Sequence, residues 1–207
     1  RSEADKLQQE YYLIADQLSA IRREAASRLQ EMVRRELVDL HMPHITFEVI
    51  VIQKASPAAN GYDDIEFMFS ANPGESPRPL SKVASGGEIS RFILALKSAL
   101  ASTYRIPTLV FDEIDVGVGG TALGAMADKL YQIAADHQVI LVTHAAQVAS
   151  YAHCHYLIDK QVENNSTFVQ VTRLQQETRE QEIARMLGGY QYSDITLQHA
   201  RELLKRN

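Results

Sequence analysis

Leu7, Tyr11, Ile14, Leu18, Ile21 and Ala25 recur at alternating spacings of four and three, with charged and amide residues between them. That is the seam of a coiled coil, a helix that seeks another helix. After Ala25 the apolar positions move to Leu29, Met32, Val33, Leu37 and Leu40, a denser stripe suited to lying on a globular core. Pro43 ends this pattern, because proline disfavours helix in the residue before it and has no N–H to donate. The spacing therefore predicts a coiled-coil helix over 1–42 that runs into a body over 43–207.

Beyond Pro43 the period changes. Residues 45–52 are rich in β-branched side chains, residues 65–69 alternate, and turn residues lie at 57–61, which predicts a β-hairpin. Three prolines and a glycine over 72–79 predict an irregular loop. From there the pattern alternates: helix over 88–101, strand over 108–111, helix over 121–135, strand over 139–142. Alternation of this kind predicts an α/β fold, a mostly parallel sheet flanked by helices. Two further strands, 156–158 and 167–171 around a polar turn at 163–165, are expected to close the sheet edge. A short helix over 180–187 stops at Gly188 and Gly189, and a last amphipathic helix starts near Asp194.

With 207 residues, the chain has room for one domain with a sizeable core, or for a smaller domain and an appendage. A formal net charge of −5 excludes a general positive field for coating nucleic acid, so any DNA contact must be local. Cys154 is the only cysteine, which excludes an internal disulfide and suits a reducing, cytoplasmic compartment. No run approaches the roughly 18 apolar residues of a membrane span, and the first residues lack the apolar core of a signal peptide.

The candidate chemistry begins at 108–113, where the apolar run Thr108-Leu109-Val110-Phe111 ends in Asp112-Glu113. A strand-end aspartate can hold Mg²⁺ through water, and a carboxylate beside it can orient or deprotonate a water attacking a phosphate. The bland alternative is a solvated acidic turn. Ser85-Gly86-Gly87-Glu88 opens a predicted helix, so its N–H groups and the helix dipole favour an anion. Ser-x-x-Glu is equally a capping box, although a capping box needs neither glycine. Asp115-Val116-Gly117-Val118-Gly119-Gly120 must be a loop at the carboxyl edge of the sheet, where open parallel sheets bind ligands, unless it is only a flexible connector. His144 ends the next strand on the same edge. Lys82 and Arg91 flank the Ser-Gly-Gly element and read equally well as phosphate contacts or solvated cations. His153-Cys154-His155 lacks the second cluster that a zinc site needs, and is read as the start of a strand. None of the ten glycines opens a G-x-x-x-x-G-K-[ST] phosphate cradle.

As a set, residues 85–88, 108–113, 115–120 and His144 resemble the signature motif, Walker B strand, D-loop and switch histidine of ABC-type ATPases. The helical seam at 1–40 is similar to the SMC-like branch of that superfamily rather than to transporters, which also commonly carry glutamine where Glu88 stands. The longer phrases at 83–91, 111–120, 143–149 and 183–189 resemble the bacterial SMC-like ATPases of DNA double-strand-break repair, over essentially the whole chain. The resemblance implies the carboxy-terminal lobe of an ABC-type ATPase head with the end of its coiled coil.

It also implies roles and partners. Asp112 would support Mg²⁺, Glu113 would act as the catalytic base, and His144 would sense the γ-phosphate. Ser85, Gly86, Gly87 and Glu88 would serve ATP held by a second head, and Asp115 would tie the two sites together across that dimer. The implied cofactors are ATP and Mg²⁺. The implied partners are an amino-terminal P-loop lobe, a second head in an ATP-dependent dimer, and DNA at ends or single-stranded regions, in a bacterial cytoplasm at the nucleoid. Without a P-loop or a recognisable Q-loop, the chain is expected to bind ATP poorly by itself and to be a piece of a longer protein. The rival expectation is a non-catalytic dimerisation or clamp module.

Overall fold

The computed structural model describes residues 2–83, 87–104, 106–112, 114–163 and 166–205. The chain divides into two compact units, Arg1–Arg105 and Ile106–Asn207.

The first unit is built on one long helix and a hairpin. Helix α1 (Ser2–Asp39) has 38 residues, about 57 Å at the rise of an α-helix. Ala15, Ser19, Ala26, Val33 and Leu37 form its buried stripe. Leu7, Ile14 and Ile21, spaced by seven, are exposed. The seam read from the sequence thus divides between two directions, with Tyr11 turned to bond both the N–H and the carbonyl of Ala58. The helix ends before Pro43 as its chemistry requires, with His41 in the left-handed region at φ 59°. Leu40 and Met42 are buried beyond it.

Strands β1 (Thr46–Ala58) and β2 (Gly61–Ser70) pair antiparallel, with an irregular register between Gln53 and Ala58. β1 runs six residues past the expected 45–52, through Pro57. A proline is tolerated where the ladder is irregular, so it marks a departure in register here rather than the end of the strand. A two-residue strand, β3 (Arg78–Pro79), pairs with β2, and a single 3₁₀ turn carries Lys82. Helix α2 (Gly87–Tyr104) closes the unit. Its Phe92 is fully buried, with ring centroids 5.1 Å from Phe47 and 4.8 Å from Phe69. Such aromatic pairs add to the gain from burial.

The second unit alternates as expected. It comprises β4 (Thr108–Asp112), α3 (Gly120–Ile133), β5 (Gln138–Val142), the single-turn α4 (Ala146–Ala149), β6 (Tyr156–Glu163), β7 (Ser166–Arg173), α5 (Gln176–Gly188) and α6 (Asp194–Lys205). β4 and β5 are parallel and in register from Thr108 opposite Gln138 to Asp112 opposite Val142. Among the described residues this is the one parallel pair, so the parallel component is narrower than the alternation suggested. The expectation that the last two strands close that sheet edge is corrected: β6 and β7 pair antiparallel with each other and form a separate sheet. Each satisfies the other's ladder, and an apolar alternation does not specify which edge a strand seeks. Ala146, Ala149, Ile183, Ala184 and Ala200 form a small-residue core among α4, α5 and α6. Gly189, at φ 78°, ends α5 as the Gly-Gly pair predicted.

Candidate functional site

The site in the second unit starts from strand polarity. Leu109 and Phe111 are buried while Asp112 is exposed, so β4 is held by alternate side chains and offers its last one to solvent. Because β5 is parallel to it, Asp112 stands opposite Val142. The segment Thr143-His144-Ala145 therefore leaves the sheet at the same carboxyl edge as Asp112. This is where open parallel sheets place ligands.

Three residues past Asp112 the chain turns back, anchored by the buried Ile114. Gly117 and Gly120 take positive φ, 71° and 57°, which an L side chain would resist. Within this turn the side chain of Asp115 is wholly buried. Its Oδ2 accepts three hydrogen bonds, from Thr143 Oγ1 at 2.5 Å, His144 N at 3.2 Å and Ala145 N at 3.1 Å. Ala145 N also donates to Thr143 Oγ1 at 3.0 Å. His144 Nδ1 lies 3.4 Å from the same oxygen, and the imidazole is 71% exposed. Asp115 Oδ1 is buried without a partner among the described residues. One carboxylate thus stitches the loop after β4 to the loop after β5 and leaves His144 facing solvent.

Asp112, Asp115 and His144 are brought to one edge. Glu113, Ser85 and Gly86 lie outside the described residues. Gly87 and Glu88 belong to the first unit, where they open α2. Arg91, on the same helix, is no free cation. Its Nε donates to Met42 Sδ at 3.1 Å, and burial lowers its pKa, with Glu88 opposing. Sequence reading missed Thr143, whose hydroxyl is both a donor to Asp115 and an acceptor for Ala145. A threonine just past a strand end is a signal for such a local turn, but nothing in the sequence says that Asp115 is its partner.

The donor set fits part of a metal–nucleotide site. An exposed strand-end carboxylate suits Mg²⁺, which keeps several waters and takes one or two carboxylates plus phosphate oxygens. No group of three or more His, Cys, Asp or Glu among the described residues is arranged to cage a metal alone. The phosphate cradle has no counterpart in this sequence.

His153-Cys154-His155 precedes β6 on the wall of a cleft of about 860 Å³. His153 stacks on Tyr131 at 5.5 Å, and Arg173 reaches Cys154 Sγ at 3.4 Å. Burial, with Arg179 nearby, pushes the His155 imidazole below its usual range against the opposing pull of Glu182. Arg179 donates to the carbonyls of Ala149, Ser150 and Ala152, and Arg201 is bonded to Glu180. These cations hold the fold of this corner.

No protein-family model matches the chain. It is 44% identical over 204 residues to DNA repair protein RecN of Deinococcus radiodurans, covering 99% of this chain and 36% of that protein. It is 43% identical over 199 residues to DNA repair protein RecN of Rickettsia bellii, covering 96% of this chain and 36% of that protein. Among solved structures, an Smc head domain with an extended coiled coil, bound to the C-terminal domain of ScpA, from Pyrococcus furiosus, matches with a TM-score of 0.56 at 17% identity. It covers 89% of this chain and 44% of that one. An SMC ATPase structure concerned with ATP-driven dimerization and DNA-stimulated activation matches with a TM-score of 0.50 at 18% identity, covering 77% of this chain and 91% of that one. The structural likeness establishes a fold of the SMC head kind, and the sequence likeness, nearly end to end in this chain, is to RecN proteins over 36% of their own length.

Proposed function

We propose that this chain is the carboxy-terminal lobe of an SMC-like ATPase head acting in DNA double-strand-break repair, and that it hydrolyses ATP only together with a P-loop lobe. The observation that carries this reading is the Asp115 stitch, which holds an acid-bearing strand end and a histidine-bearing strand end at one sheet edge in a RecN homologue.

Asp112 takes the metal-supporting role, since its carboxylate is exposed at the end of β4. Glu113, next in sequence, orients and deprotonates the attacking water. His144 presents its exposed imidazole to the γ-phosphate. Mg²⁺ and ATP, when bound, supply charge neutralisation and an electrophilic phosphorus. Gly87 and Glu88 open α2, and with Ser85 and Gly86, which precede them in sequence, would serve nucleotide on a second head. Its partners are then the P-loop lobe, that second head, and DNA at ends or single-stranded regions. No described helix is long and apolar enough to cross a membrane.

The test is steady-state ATP hydrolysis by this chain reconstituted with a P-loop lobe, in native and Glu113→Gln forms, with the chain alone as control. Turnover that needs both lobes and falls at least about a hundredfold in the variant supports a shared site with Glu113 as base. Equal turnover in the two forms sinks the assignment and makes the clamp module the better description.

A further inference from the structure

Asp115 presents a physical puzzle that its place in the motif does not explain. A wholly buried carboxylate contributes stability when both oxygens are satisfied and a cation stands nearby. Here three donors crowd onto Oδ2 and, among the described residues, Oδ1 has no partner and no Lys or Arg is bonded to either oxygen; the only group there that can carry positive charge is the exposed His144 imidazole, 3.4 Å from Oδ2. As a stabilising device this is poor, because a buried unpaired anionic oxygen carries a desolvation cost. What the arrangement does well is fix geometry. Two consecutive N–H groups and the hydroxyl preceding them converge on one atom, which leaves the peptide that carries His144 little freedom. Charge-assisted hydrogen bonds of this kind are stronger than neutral ones.

We infer that Asp115, with Thr143, is a positioning residue acting within its own chain: it sets the orientation of His144 and makes the turn beyond Glu113 and the loop of His144 move as one piece. Asp115 lies two residues past Glu113 in sequence, so a shift of the turn at 114–117 is carried through Oδ2 to residues 143–145. Thr143 is the second half of the device, because its hydroxyl bridges Asp115 and the Ala145 N–H.

This inference rests on the functional reading above, and its test separates the two. In the complete protein, carrying both lobes, Asp115→Asn keeps shape and an acceptor oxygen but removes the charge, while Thr143→Val removes the bridge and Thr143→Ser keeps it. The expected result is a kcat about tenfold lower for Asp115→Asn and Thr143→Val with KM for ATP within about twofold, and near-native kcat for Thr143→Ser, the size of effect when a charged hydrogen bond in a positioning loop is lost. Backbone amide exchange of residues 144 and 145, read in the same protein without nucleotide, is expected to quicken in the first two variants and to stay native in Thr143→Ser. Native kcat in Asp115→Asn, or unchanged exchange at 144 and 145, overturns the inference. If Glu113→Gln turns over like the native protein, the functional reading fails instead, and the exchange measurement alone then decides whether Asp115 holds the loop.

Discussion

Asp63 in the first unit and Asp115 in the second are both carboxylates with no solvent-exposed side-chain surface, yet they are partnered in opposite ways. Asp63 receives Ser19 Oγ at 2.8 Å on one oxygen and Arg22 at 2.9 Å on the other. Burial by itself would push its carboxyl up, but the bonds from Arg22 and Ser19 more than reverse that and hold it below the usual range. Arg22 also donates to the carbonyl of Asn60, so the cluster ties α1 to the hairpin turn. Asp115 accepts from one hydroxyl and two backbone N–H groups on one oxygen, with His144 Nδ1 3.4 Å from it, and has no partner for the other oxygen among the described residues. A buried acid that is neutralised and satisfied on both oxygens maintains the fold, whereas one that is satisfied on a single side is retained for what it orients.

The largest expected effect comes from removing the satisfied acid. Asp63→Ala leaves Arg22 without its ionic partner and is expected to lower unfolding stability by about 3 kcal/mol, measured by urea denaturation. In the same assay Asp115→Ala is expected to cost about 1 kcal/mol, because the lost hydrogen bonds are partly offset by release of the unpaired oxygen. A larger loss for Asp115 than for Asp63 would break the comparison.

The second expectation concerns pH. The Asp63 carboxyl is depressed in the folded state, so the unfolded chain binds the extra proton, and the stability this group contributes is present above the ordinary carboxylate range. It is lost as pH falls through that range towards the folded value. Urea midpoints measured from pH 7 down to pH 3 should therefore fall less steeply in Asp63→Asn than in the native protein, and parallel slopes would remove Asp63 as the cause.

Smaller again is Tyr11→Phe. The hydroxyl of Tyr11 both donates to and accepts from Ala58 at 3.0 Å, and its loss is expected to cost about 1 kcal/mol. Faster amide exchange at residue 58 would locate that loss at the hairpin end. Glu31 should matter least. Arg34 and then Arg35 bond it and bring its pKa down to about 2, but all three side chains are exposed. Exposed pairs are weak and screened by salt, so Glu31→Gln is expected to leave the thermal midpoint unchanged at moderate ionic strength.

Much of the secondary structure was legible in local pattern. The stop at Pro43, the hairpin, the strand that ends in Asp112, the helix end at Gly189 and the final helix all follow from period, proline and glycine. Those signals act over a few residues, through φ restriction, missing donors and side-chain alternation, and need no distant partner. The strand end at Asp112 and the strand end before His144 were legible for the same reason. Pairing was not. Nothing local told β6 and β7 to pair with each other instead of with the parallel strands, or carried β1 through Pro57. Nothing local divided the seam of α1 between a buried face and the exposed Leu7, Ile14 and Ile21. The sequence by itself therefore determined which residues could do chemistry and on which strand ends they sit. Only the tertiary structure decided that Asp115 would be buried 28 residues along the chain from the Thr143 hydroxyl it accepts, because burial and hydrogen-bond partners depend on which strands lie side by side once the chain has folded.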